Sequence, residues 1–384
     1  MKLYSEDLIN EFPSYGKTYL NNASISLMPR VSILEMQEFL VHYNSIGPDS
    51  IQSEPFVDEK LRLVRREVSS LLNCQPDEIV LTQSTTDGVN IVANGMDFND
   101  NSNVIIRGTS HEHHANYYPW LQLSKKLDLR NLEIDENGFF DLAQLEKVID
   151  EKTKLVSLSH ALYNTGAILP IQDVSIILKQ NDIPFFVDAA QTVGCLGEMN
   201  VENLGCDFIA FNGSKWLCGP MGTGLFYCKR KSSKLLRPTG IGGESAMIYD
   251  KTELSYKDLP DKFQTGFRNY VGIVGLSAAL QFMKKLGMNN IRQKNMKLAE
   301  ILRKELSKIS GIVLYGPENP ELRTSIVSFN LEDKEPSYIV KKLEKLGFVL
   351  AVREIFDKKI VRASPHFFNT EKEIIELVKK LKEL

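Results

Sequence analysis

Lys215 lies in the run Gly213-Ser214-Lys215-Trp216-Leu217-Cys218, and Trp216, Leu217 and Cys218 are not surface company. A lysine amine can attack an aldehyde and hold it as a Schiff base. Asp188 stands 27 residues earlier, at the end of Phe185-Phe186-Val187. A carboxylate closing a buried strand can keep a pyridine nitrogen protonated, because the opposite charge lowers the cost of ionising both. Thr85-Thr86 offer hydroxyls and, at a helix start, free backbone N–H groups for a phosphate dianion. His113 belongs to His111-Glu112-His113-His114, and an imidazole can stack on a flat heteroaromatic ring. Each residue also has a plainer reading. Asp188 and the threonines can be helix caps, and the histidines solvated side chains. A zinc reading of the histidine cluster lacks a Cys/His partner at ligand spacing.

The elements that must position these residues decide between the readings. Six short apolar runs alternate with helical patterns: 78–84, 103–108, 154–161, 184–190, 208–213 and 222–229. Several are apolar at consecutive positions, as in strands covered on both faces. Strand–helix alternation of this kind predicts an α/β domain with a mainly parallel sheet. Ligands bind such sheets beyond the carboxyl ends of the strands. Thr85-Thr86, the histidine cluster, the segment His160 to Asn164, Asp188 with Gln191, and Ser214-Lys215 all follow those ends. Aldehyde, pyridine nitrogen, phosphate and aromatic plane together describe pyridoxal phosphate (PLP).

After about residue 265 the pattern changes to a long helical stretch broken near Gly287, then strands, a helix, two more strands and a Lys/Glu-rich terminal helix. The expected division is a large α/β domain over 13–265 and a smaller α+β domain over 266–384, joined by residues 1–12. The chain has 384 residues, 46 Lys+Arg against 49 Asp+Glu, and 43% hydrophobic residues. A net charge of -3 speaks against nucleic-acid binding and a polybasic membrane role. No signal-peptide pattern or membrane-spanning apolar run is visible, and five irregularly spaced cysteines suggest reduced thiols in the cytoplasm. A dinucleotide-binding dehydrogenase gains little from Gly219-x-x-Gly222-x-Gly224, which has the wrong spacing.

The segment VDAAQTVGCLGEMNVENLGCDFIAFNGSKWLCGPMGTG resembles the cofactor core of class V aminotransferases, especially the cysteine desulfurase-like branch. YLNNASISLMP, TQSTTDGVN, EHHANYYPW and VRASPHFFNTEKEI match in the same order, so the resemblance covers nearly the whole chain. It implies the PLP-dependent transferase fold type I and a homodimer with shared active sites. It implies Lys215 as the Schiff-base lysine and proton shuttle, Asp188 on the pyridine nitrogen and Gln191 on the ring's phenolic oxygen. His113 would stack on the ring; Thr85, Thr86, Asn212 and Ser214 would hold the phosphate. Arg362 would clamp the substrate carboxylate as a planar bidentate donor, with Asn22, Tyr163 and Asn164 also facing substrate. No metal is implied.

Four departures from the family pattern are visible. Ser214 replaces the usual histidine before the lysine. Gly266-Phe267-Arg268-Asn269 stands where a Gly-Thr-x-Asn donates a threonine to the partner subunit's phosphate, and Arg268 can substitute with a charge-assisted bond. Tyr163-x-Thr165-Gly166 is closer to kynureninases. Above all, the eight residues Glu354 to Val361, between Arg353 and Arg362, include no persulfide-forming cysteine. The expected chemistry is C–S bond cleavage on a small cysteine-like L-amino acid without such a cysteine. Transamination, epimerisation as in isopenicillin N epimerase and kynureninase-like Cβ–Cγ cleavage are the alternatives.

Overall fold

A computed structural model describes residues 6–13, 16–108, 112–250 and 252–384. Seven strands form the main sheet: β1 (Ile79–Thr82), β2 (Asn103–Arg107), β3 (Asp128–Leu132), β4 (Thr153–Ser159), β5 (Phe185–Asp188), β6 (Phe208–Asn212) and β7 (Gly224–Cys228). Their order is β1-β7-β6-β5-β4-β2-β3. β6, β5, β4, β2 and β3 pair in parallel, and β7 runs antiparallel to both neighbours. Helices cover both faces, so β2, β5 and β7 are buried at every position. That is why their sequences are apolar without alternation. The exception is the edge strand β3, whose Asp128 and Asn131 are exposed.

The parallel strands end on one edge, and β2, β4, β5 and β6 lead candidate residues there. β1 leads through the N-cap Ser84 into the helix Thr85–Gly95, where Ser84 Oγ accepts the Asp87 N–H. This helix lies close on the sheet: a Cβ at Gly88 would come within 2.6 Å of Ala210 Cβ on β6. Any side chain there would push the helix start outward, away from Asn212.

A hairpin of β8 (Ala246–Asp250) and β9 (Glu253–Tyr256) follows the main sheet in the chain. The C-terminal unit is a four-stranded antiparallel sheet of β10 (Ile312–Tyr315), β11 (Val327–Leu331), β12 (Ala351–Ile355) and β13 (Lys358–Ala363), in the order β10-β11-β13-β12. Helices Met288–Leu306, Pro336–Lys345 and Glu371–Lys382 enclose its own core through Leu302, Leu343 and Leu377. The helix Tyr270–Leu286, past the expected boundary at 265, shares the main-sheet core through Ile273, Leu276 and Leu280. Leu8 and Phe12 belong to that core too, with Phe12 stacked on Phe368 at 4.3 Å. Residues 18–26 bridge the units: Thr18–Tyr19 pairs with Phe348–Val349, Asn21 with Ser364, and the Ser26 N–H donates to the Ser214 carbonyl.

Candidate active site

The strand ends enclose a cavity of about 330 Å³ lined by Thr85, Thr86, His113, Asp188, Gln191, Asn212, Lys215, Tyr163 and Arg362. Ser24, Ser159 and Arg353 join them from three other segments. The lysine turn is held from beneath by its neighbour. Buried Trp216 donates its indole N–H to Gln191 Oε1 at 2.9 Å, and its carbonyl meets His366 Nε2 at 3.2 Å. His366 Nδ1 reaches Asn295 at 3.1 Å, so the C-terminal unit clasps the turn that carries Lys215.

Burial sets the protonation of the reactive groups. It lowers the Lys215 amine to about 8, against the pull of Asp188, while Arg362 and Arg353 add to the fall. Burial likewise raises the Asp188 carboxyl to about 6; the Ala190 N–H and Lys215 oppose the rise and Glu112 adds to it. Asp188 Oδ1 accepts that N–H at 2.9 Å. The His113 ring is open toward the cavity, yet desolvation, then Lys215, His114, Arg353 and Arg362, lower it to about 3. It is neutral at physiological pH. Its Nδ1 accepts the Ala115 N–H at 3.1 Å, which leaves the proton on Nε2. Tyr163 stands edge-on to it, with ring centres 5.0 Å apart.

Opposite the lysine, two guanidinium groups converge on one hydroxyl. Arg362 donates to Ser24 Oγ at 2.6 Å and Arg353 donates to it at 2.5 Å. Arg362 also donates to the Tyr163 carbonyl at 2.6 Å and to Asn21 Oδ1 at 3.3 Å. Among the described residues no carboxylate lies within ion-pair distance of either arginine. Burial, then Arg353, pushes the Arg362 pKa well down. Such a pair of cations is prepared for an anionic group.

Asn22 and Asn164, expected to face substrate, do not line the cavity. Asn22 is consumed by the scaffold: its amide donates to the Ser364 carbonyl at 2.8 Å and its oxygen accepts from Ser26 at 2.9 Å. Asn164 bonds the Glu354 carbonyl at 3.0 Å and the Thr165 N–H at 2.9 Å. Arg268, expected at the partner subunit's phosphate, is held within its own chain by Glu244 at 3.2 Å and Asp261 at 3.0 Å. Ser214 is buried beside the cavity, 3.3 Å from the Asn212 amide. His111 lies outside the described residues. Ser24, Ser159 and Arg353 were not assigned from sequence. A signal for Arg353 exists: Ala351 faces Arg362 across β12 and β13, and a residue two positions on shares that face.

The class-V aminotransferase family matches residues 18–377. The chain belongs to that family. A probable cysteine desulfurase of Methanothermobacter thermautotrophicus is 32% identical over 99% of this chain and 98% of its own. The apo cysteine desulfurase of Thermococcus onnurineus superposes with a TM-score of 0.90 at 27% identity, covering 98% and 97% of the two chains. C-DES, 25% identical, matches twice. With glycine covalently linked to its PLP cofactor it has a TM-score of 0.90 and covers 98% and 99%. As a cystine C–S lyase in complex with its product cysteine persulfide it has 0.89 and covers 96% and 98%.

This class-V enzyme is PLP-dependent and cysteine desulfurase-like, and its cavity fits the cofactor in detail. Thr85 Oγ1 and Asn212 Oδ1 are buried without any hydrogen-bond partner. The first N–H groups of the Thr85–Gly95 helix have no intrahelical acceptor. These groups would hold the phosphate, with Asp188 at the pyridine nitrogen, His113 on the ring face and Lys215 at the aldehyde. Gln191 keeps one N–H beyond its bond to the Ala23 carbonyl at 3.0 Å. Only the neutral amine attacks an aldehyde. The rate at which apo-protein captures PLP should therefore rise about tenfold per pH unit below the lysine's pKa and level off above about 8. Stopped-flow absorbance measures it; a rate that falls with rising pH would exclude Lys215 as the attacking group.

Proposed function

We propose that the enzyme cleaves the C–S bond of a cysteine-like L-amino acid, and that the sulfur departs with the substrate's own fragment instead of passing through a protein thiol. One observation carries the second part. β12 and β13 form a hairpin closed by Phe356-Asp357, with φ of 45° and 65°. Two consecutive left-handed residues make a tight reversal suited to a two-residue hairpin, which leaves no loop able to swing a nucleophile into the cavity. The five cysteines also stand away from the cavity lining. Burial raises the thiols of Cys74, Cys206 and Cys218 to about 12 and that of Cys195 to about 11. Cys228 is raised as well. Thiols so rarely ionised are poor sulfur acceptors.

PLP held by Thr85, Thr86, Asn212, Asp188 and Lys215 would supply an aldehyde for the substrate amine and a sink for the negative charge left when the Cα proton is removed. The chain supplies the rest. Arg362 and Arg353 bind the carboxylate and orient the molecule. Lys215 Nζ, neutral above about pH 8, takes the Cα proton. The Asp188 carboxylate would stabilise positive charge at the pyridine nitrogen, and Nε2–H of neutral His113 is free to donate a hydrogen bond. For L-cysteine the balance is cysteine plus water to pyruvate, ammonium and hydrogen sulfide. A disulfide substrate releases a persulfide in place of sulfide, the product named for C-DES.

Purified holoenzyme assayed against an amino-acid panel should give pyruvate and sulfide or persulfide in equal amounts. Pretreatment of the native enzyme with iodoacetamide should leave turnover unchanged. Alanine as the carbon product, a keto acid formed only with a second amino acid, or substrate-protected loss of activity on alkylation would overturn the reading.

We also propose a cytoplasmic homodimer. The hairpin of β8 and β9 carries exposed Ile248 and Tyr249, at 76% and 78%, and Phe267 is 75% exposed. Apolar groups displayed this openly usually meet a protein surface. Light scattering at micromolar concentration should give twice the 43.5 kDa chain mass. A fully active monomer would refute it.

A further inference from the structure

Behind the His113 side of the cavity lies a charge pair that the proposed reaction does not use. Arg107 ends β2 and Glu112 follows five residues later, with side-chain exposures of 0% and 2%. The two carboxylate oxygens are divided between different tasks. Oε2 accepts from Arg107 at 3.4 Å, a long contact. Oε1 accepts the Ser159 hydroxyl at 2.5 Å and the His113 backbone N–H at 3.0 Å. The shorter bonds of Glu112 thus point toward the site, not toward its counterion. Arg107 in turn spends a donor on the Gly138 carbonyl at 3.3 Å and leaves its Nε without a partner.

Both residues held by Oε1 belong to the cofactor's surroundings. Ser159 lines the cavity and is the register partner of Asp188 across β4 and β5. His113 lines the same cavity from the loop after β2. We propose that Glu112 is a positioning residue for bound PLP: its single oxygen Oε1 ties the backbone of the ring-stacking His113 to the Ser159 hydroxyl beside Asp188. The plane that covers the pyridine ring and the carboxylate that meets its edge are thereby registered to one buried charge. Arg107 is the counterion of that charge. Ser159, its O–H committed as donor to Glu112, turns only lone pairs to the cavity. The field of Glu112 is also felt at Asp188, where it adds to the effect of burial and opposes that of Lys215.

A pair that merely stabilised the fold would leave cofactor geometry untouched when altered. PLP itself is the probe, titrated into apo-protein and followed by absorbance and by the circular dichroism the site induces in the bound ring. Glu112→Gln should weaken PLP binding about tenfold or more, as loss of a charged hydrogen-bond acceptor does, and alter the induced dichroism. Ser159→Ala leaves Arg107 and Glu112 paired. It should weaken binding about threefold and move the dichroism in the same direction at an unchanged melting temperature. Should Glu112→Gln fail to fold, Ser159→Ala alone decides. Native affinity and native dichroism in Ser159→Ala would overturn the proposal. So would a folded Glu112→Gln that loses thermal stability but keeps both cofactor signals.

Discussion

Lys215→Ala is expected to abolish the visible absorbance of covalently held cofactor and to lower turnover by about 10⁴-fold, since one amine serves as both attachment point and proton carrier. Among the described residues no other lysine lines the cavity to take its place. The phosphate cradle of Thr85, Thr86 and Asn212 is unaffected by the change, so PLP should still associate, weakly and reversibly, and dialyse away. The variant should fold, because the turn is fixed by Trp216 and not by the amine. Turnover above about one hundredth of the native rate, or a persistent native absorbance band, would show that another group does this work.

The second large effect concerns Arg362. Arg362→Ala should raise KM for amino acids by about 30-fold or more, from an interaction on the order of 2–5 kcal/mol, while PLP content stays native. Its bonds go to Tyr163, Asn21 and Ser24, on the substrate side, and none goes to the phosphate cradle. Arg362→Lys should recover part of the loss, because a point charge survives where the planar fork does not. Native KM in Arg362→Ala, with native circular dichroism, would remove Arg362 from substrate recognition. A general loss of PLP would instead mean that its bond to the Tyr163 carbonyl supports the whole pocket.

Much of the main sheet was legible because burial on both faces writes itself into sequence. β2, β5 and β7 read as unbroken apolar runs. β3 was not legible: an edge strand reading Asp-Leu-Arg-Asn-Leu looks like any polar connection. The hairpin of β8 and β9 was missed for a related reason, since its exposed faces impose no alternation. In the site, the residues directly following buried strands were legible because the strand itself aims them. Lys215, Asp188 and Thr85 are of this kind. Asn22 and Asn164 lie at turns, where one residue's difference reverses the direction of a side chain. Thus Ser24, two residues past Asn22, faces the arginines while Asn22 bonds the Ser364 carbonyl. The missing loop cysteine was visible in sequence, but the closed hairpin that replaces the loop follows only from the strand register.

Because His366 grips both Asn295 and the carbonyl of Trp216, the last twenty or so residues act as a latch on the catalytic lysine's turn. A chain that ended after β13 would keep every group able to touch cofactor or substrate and still lose the part that holds one of them in register.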